Sequence, residues 1–301
     1  MNSIPQYQLE TKQIDRLAAQ QYFYLVAARM QTIQIICSVP VVLIGSLIVV
    51  FFPNLNVYTA FWGLIVTFID IIYLNHYQNL LKQQAAKVQE LFDCHVLDLE
   101  WNNVKLGRRP EEETILDAAT KFNIIKPNYS YLKDWYPPEV GNLPIYQARI
   151  ICQRTNCWWD AKLRRYYANW LITLLFILAL ILLILGLISD FSLENFILST
   201  LVPLMPAFVL GTRQYNEHIE SANSWQRLKE YSEQLWEQAI NGQKTPQELT
   251  QLSRCLQDEI YEHRYKSPLI FDWLYNRLRP AYCQQTDRAV KVMIEEALKS
   301  P

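Results

Sequence analysis

Glycine is scarce in this chain, with 7 in 301 residues, which argues against a glycine-rich phosphate loop and against many-turned β-sandwiches or propellers. Charge is scarce too. Asp, Glu, Lys and Arg make up 19% of the residues, against roughly 25% in an average soluble domain. The 28 Lys and Arg are matched by 29 Asp and Glu, so no basic surplus is available to grip a DNA or RNA polymer. No G-x-S-x-G, Walker loop or G-x-G-x-x-G is present. The six cysteines (37, 94, 152, 157, 255 and 283) form no C-x-x-C, and the four histidines (76, 95, 218 and 263) form no H-x-x-x-H. Asp93-Cys94-His95 comes nearest to a metal site, but three adjacent helical residues point three ways. No catalytic residue, metal or cofactor is therefore expected. Disorder is excluded by the other side of the balance: 51% of residues are hydrophobic and nine are tryptophan.

The missing charge is concentrated in three stretches. No Lys, Arg, Asp or Glu lies between Arg29 and Asp70, between Arg165 and Asp190, or between Glu194 and Arg213. About 20 apolar residues cross a bilayer core as a helix, so the first stretch holds two crossings and the others one each. Pro53-Asn54-Leu55-Asn56 and Ser189-Asp190-Phe191-Ser192 supply the turns. The expected spans are Ile33–Phe52, Val57–Leu74, Trp170–Ile188 and Phe196–Leu210, the last interrupted by Pro203 and Pro206. All 28 Lys and Arg fall on one side of this arrangement, which places both termini in the cytoplasm of a multi-pass inner-membrane protein. About 30 polar residues precede the first apolar run, so that run reads as an uncleaved anchor.

The expected class is thus an all-α membrane protein: four transmembrane helices in two hairpins, plus a helical cytoplasmic domain built from non-contiguous segments. Its divisions are a cytoplasmic N-terminal helix (1–32), a first hairpin (33–74), a cytoplasmic helical segment (75–169), a second hairpin (170–210) and a C-terminal helical segment (211–301). Within the cytoplasmic part, Pro110 and Glu111-Glu112-Glu113 predict a helix start, with acids on the positive end of the dipole, and an end near Phe122. Residues 124–144, with four prolines, predict an irregular surface loop. Helix resumes at Ile145 and continues into the third span. A helix after Gly211 runs to about Ile240, and Thr245-Pro246-Gln247-Glu248 is a capping-box start. A last helix, Leu269–Leu278, is expected to close at Arg279-Pro280.

Two sets of residues carry candidate function. Thr59, Gly63, Thr67 and Asp70 are spaced by 4, 4 and 3 and share one face of the second span. Such a face turns away from lipid, either as close packing in a resting state or as pore lining in an active one. Two cytoplasmic stretches concentrate groups that bind anionic, aromatic ligands: Arg154, Trp158, Trp159 and Lys162 before the third span, and Arg254, Tyr261 and Arg264 in the C-terminal segment. Arginine grips phosphate and aromatic rings stack on bases. The structural alternative is interhelical ion pairing, such as Arg154–Asp258 or Arg264–Asp160, with the tryptophans as core.

Those stretches also carry a resemblance. Ile4-Pro5-x-x-Gln8, Leu17-Ala18-Ala19-Gln20, the block Cys152-Gln153-Arg154-Thr155-Asn156-Cys157-Trp158-Trp159-Asp160, Leu256-Gln257-Asp258-Glu259-Ile260-Tyr261 and Phe271-Asp272-Trp273-Leu274-Tyr275-Asn276-Arg277 are similar to the SMODS-associating four-transmembrane family of pore-forming effectors. The likeness covers essentially the whole chain. It implies a role in bacterial antiphage systems of the CBASS type, where a partner nucleotidyltransferase makes a cyclic oligonucleotide messenger and the effector disrupts the inner membrane. On that expectation the partners are the lipid bilayer, the cyclic oligonucleotide and further copies of the chain in a homo-oligomer. The rival expectations are a constitutive small ion channel or scaffold, and a membrane-anchored enzyme. The resemblance carries over no catalytic residue.

Overall fold

A computed structural model describes residues 1–38, 74–127, 130–188 and 202–299, with isolated positions between them. All regular structure among the described residues is helical. In chain order the helices are α1 (Ile4–Tyr7), α2 (Thr11–Ser38), α3 (Asn75–Val96), α4 (Asn103–Leu106), α5 (Glu112–Ile125), α6 (Ile145–Ile188), α7 (Val202–Ile240), α8 (Pro246–Lys266) and α9 (Asp272–Lys299).

Local chemistry accounts for several boundaries. Asn102 caps α4, its side chain accepting from the amides of Val104 and Lys105. Glu112 and Glu113 occupy the first turn of α5. Thr245 and Glu248 form a reciprocal capping box ahead of Pro246, so α8 begins where the sequence predicts. Arg149 of α6 serves the far end of α3: its Nε donates to the Leu97 carbonyl at 2.7 Å and its Nη2 to that of Asp98 at 2.8 Å, satisfying carbonyls that a helix end leaves over.

α2 packs on α3 and α5, α6 packs along α7, and α8 lies against α3, α6 and α7. The core is contributed by all of them, with Leu17, Phe92, Phe122, Ile151, Trp225 and Ile260 at its centre. Gly211 permits the close approach of α6 and α7, since a Cβ there would stand 2.6 Å from a Leu175 methyl.

Two expectations need correcting. The expected surface loop 124–144 is instead helical to Ile125, and its described residues from 130 onward are irregular, with two 3-10 turns, and are no surface loop: Leu132, Tyr136, Val140 and Leu143 are buried. The N-terminus pins the segment down. The Asn2 amide group donates to the carbonyls of Val140 and Leu143, and Gln8 exchanges two hydrogen bonds with the Tyr136 backbone. The last helix begins at Asp272 and runs through Pro280 to Lys299. Packing on both sides of the proline overrides its tendency to end a helix: the Arg279 guanidinium sits 3.8 Å from the Tyr131 ring centre, and Tyr282 meets Trp158 and Trp159 edge-on.

Ile145–Ile184, within α6, is long and apolar enough to cross a membrane, and among the described residues it stands alone in this. Its apolar part faces outward, with Phe176 70% and Leu187 78% exposed. A soluble fold would have to hide such a surface. The expected third span lies in this helix. Of the expected fourth, residues 202–210 form the start of α7, with a helical backbone at Pro203 and Pro206. The first six residues of the expected first span, 33–38, form the end of α2; the rest of the first two spans, and with them Thr59, Gly63, Thr67 and Asp70, fall outside the described residues apart from isolated positions.

Candidate ligand-binding site

Glu90 and Asp93, one turn apart on α3, are fully enclosed. Two like charges in that setting need counter-charge, and the facing side of α8 supplies it. Arg254, Gln257 and Arg264 follow one another at three and seven residues and so project from one face. Arg254 Nη2 donates to Glu90 at 2.7 Å and to Asp258 at 2.9 Å. Gln257 Nε2 bridges Glu90 (2.8 Å) and Asp93 (3.0 Å). Arg264 Nη1 donates to Asp93, whose other oxygen accepts from the Tyr136 hydroxyl at 2.7 Å. Burial pushes the Glu90 carboxyl above its usual range while Arg254 pulls the other way. Burial is the largest single influence on the two arginines and opposes their charge, but the surrounding groups together, Glu90 foremost at Arg254 and Asp93 foremost at Arg264, raise both above the ordinary arginine range and hold them cationic.

A partly open cavity of about 210 Å³ adjoins this network. Its walls come from α2 (Gln20, Tyr24), the irregular segment (Trp135), α6 (Thr155, Asn156, Trp159, Arg164), α8 (Arg264), the α8–α9 linker (Ser267–Ile270) and α9 (Tyr275, Arg279). Tyr24, Trp135, Trp159 and Tyr275 give it aromatic faces. Its polar atoms are unevenly served. Gln20 Oε1, Thr155 Oγ1, Arg164 Nε and Arg264 Nη2 are buried and have no hydrogen-bond partner among the described residues. Each of the four side chains is more than nine-tenths buried. A buried polar group left unpaired costs on the order of 1–3 kcal/mol, so this cavity concentrates a deficit that a bound polar molecule would remove. Asp134, Asp160 and Asp272 also line it, opposite Arg164, Arg264 and Arg279. The formal charges cancel, so selectivity for an anion would rest on directed donors rather than on a general positive field.

Two routes lead from the cavity to the buried acids. Arg264 lines the cavity and holds Asp93 directly; Asn156 lines it and donates at 2.9 Å to the Tyr136 hydroxyl, which in turn holds Asp93.

The residues singled out from the sequence are distributed over three places. Trp159 and Arg264 line the cavity. Arg254 and Tyr261 are in the α3–α8 contact, Arg254 bound to Glu90 and Asp258 and Tyr261 buried beside Tyr265. Arg154 is paired through two nitrogens with Glu233 of α7, at 3.0 and 2.7 Å. Trp158 and Lys162 are on the α9 side, where the Lys162 ammonium lies between the Trp158 and Tyr282 rings and contacts Gln285. The ion pairs that form are therefore Arg154–Glu233 and Arg264–Asp93. Sequence reasoning missed Gln20, Tyr24, Thr155 and Arg164 as cavity residues, and Glu90 and Asp93 as partners of the arginines. The acids left a trace: Ala86, Glu90, Asp93 and Leu97 are spaced by 4, 3 and 4, which puts two carboxylates in the middle of an apolar stripe.

A helical fold with a membrane-length apolar helix and a polar–aromatic cavity beside that helix defines the class: a membrane-associated helical protein. The chain belongs to the SMODS-associating 4TM effector domain family, whose model matches residues 2–293. It is also similar to a probable CBASS effector molecule of Bacillus cereus (strain VD146), at 27% identity over 198 residues. That alignment covers 64% of this chain and 63% of the relative, so the chain spans somewhat under two thirds of the relative's length. No solved structure matches.

Proposed function

We propose that this protein is an inner-membrane effector of bacterial antiphage defence. A cyclic oligonucleotide from a partner nucleotidyltransferase binds its cytoplasmic cavity, and the liganded chains assemble as a homo-oligomer that permeabilises the membrane. The action needs no catalysis. The observation that carries this reading is the position of the cavity. Its α6 wall, Thr155–Arg164, lies on the same unbroken helix as the apolar stretch, and its α2 wall, Gln20–Ala28, lies on the helix that leads to the first apolar run. A molecule held there touches the roots of both expected hairpins. Family membership and the relative's description support the defence context. In the active state Thr59, Gly63, Thr67 and Asp70 of the second span are the proposed pore lining. The messenger can drive this change only by as much as it prefers the open form.

The test is dye release from liposomes carrying the purified chain, with a panel of cyclic di- and trinucleotides. Release triggered by one panel member and absent without it is expected. Release without any nucleotide would make the protein a constitutive channel instead. Silence across the panel, with correct insertion verified, would sink the reading.

A further inference from the structure

Resting on the reading of the cavity as the messenger site, we infer that Arg164 and Arg264 form its phosphodiester subsite, with Arg164 Nε and Arg264 Nη2 each donating to one phosphate oxygen. Both guanidiniums are buried, 7% and 5% exposed, and both line the cavity. Each head is held by the protein through other nitrogens. Arg164 Nη1 donates to the Pro268 carbonyl at 2.7 Å and its Nη2 lies 3.1 Å from Asp160, while Arg264 Nη1 holds Asp93. Each head is thus fixed by the protein with one nitrogen, Nε of Arg164 and Nη2 of Arg264, left without a partner among the described residues. The helices that carry them, α6 and α8, pack on one another, so the two heads line one cavity from adjoining walls.

The number of spare donors selects the ligand class. A phosphodiester spreads one negative charge over two free oxygens, and two cationic heads on two helices, each with one unpartnered nitrogen, match it. A phosphomonoester dianion brings more charge than two donors can meet, and Asp160 beside Arg164 counts against it. The Thr155 hydroxyl, also unpartnered, adds a donor, and Trp159 offers a ring on which a base can stack. One diester bound this way ties α6 to α8, and through the Arg264–Asp93 pair to α3. Of these, α6 leads into the expected second hairpin and α3 follows the expected first.

The experiment measures binding to the full chain in detergent by calorimetry, first with the cyclic di- and trinucleotide panel. Arg164→Gln should weaken the panel member that binds by about 10- to 150-fold, the loss of one charge-assisted contact. Arg264→Gln should do the same; if it fails to accumulate because Asp93 loses its partner, Arg164→Gln carries the test, with its melting temperature as the check on folding. Arg279→Gln removes the same formal charge from the same cavity, but Arg279 is committed to Tyr131, so only a few-fold loss is expected. Equal losses in Arg164→Gln and Arg279→Gln would overturn the subsite, leaving only a general field. A second arm replaces the panel with nanodiscs of phosphatidylglycerol or phosphatidylcholine, because a lipid headgroup presents the same diester. If no nucleotide binds but phosphatidylglycerol binds in an Arg164-dependent way, the messenger reading fails and the diester subsite stands. If neither binds, both fail.

Discussion

His218 of α7 is fully enclosed, its ring centre 4.3 Å from that of Tyr167. Burial first, and the nearby Arg164 charge second, push its pKa from the ordinary histidine range down to about 2. The fold therefore holds the neutral imidazole, whereas the unfolded chain takes up a proton once the pH drops below about 6.5. A folded pKa below the unfolded one means the stability is fully present above that pH and is lost on acidification, at a limiting slope of about 1.4 kcal/mol per pH unit. The melting temperature in detergent should fall between about pH 6.5 and pH 5, and His218→Gln should flatten that fall. An unchanged slope in the variant would assign the acid sensitivity to other groups. The same scale shows what the sequence could convey about the site. Arg264 and Trp159, singled out from the sequence by residue type, do line the cavity. Arg254 looks identical to Arg264 in the sequence, yet it is committed to Glu90 and Asp258. Residue type reveals what a guanidinium can bind, and only packing reveals whether it is already occupied.

At the scale of elements, boundaries set by local chemistry were legible and those set by tertiary contact were not. The Thr245 capping box and the start of α6 at Ile145 depend on neighbours in sequence, and both stand where the pattern placed them. The end of α9 does not. Pro280 lacks an amide hydrogen and crowds the carbonyl four residues earlier, and the helix continues because Arg279 and Tyr282 are anchored on either side of it. Pro280→Ala should therefore raise the melting temperature, by up to about 3 kcal/mol of added stability if the strain is fully relieved. The α9 contacts to Tyr131 and Trp159 should persist, as followed by tryptophan fluorescence. A lowered melting temperature would mean that the proline's restriction of the unfolded chain outweighs its cost within the helix.

For the whole molecule, the helical class followed from hydropathy and helix punctuation. The cavity did not. Its lining is drawn from five segments between Gln20 and Cys283, and no sequence window contains it. Charge distribution makes the strongest statement at this scale. Because every Lys and Arg lies outside the apolar runs and their two turns, four spans would keep both termini and the middle segment on one face. Reporter tags at residues 1, 130 and 301 should all read cytoplasmic. A periplasmic signal from any one of them would break the two-hairpin arrangement. Anchored this way, α6 becomes a mechanical object. Its 44 residues form one rod of about 66 Å, and roughly 36 Å separates Asp160, at the cavity wall, from Ile184, deep in the apolar stretch. A tilt of about 10° at the cavity end would displace the far end by about 6 Å, more than one helical turn's rise. A small adjustment around a bound molecule would thus arrive in the bilayer amplified, as leverage, without any part of the helix needing to unfold.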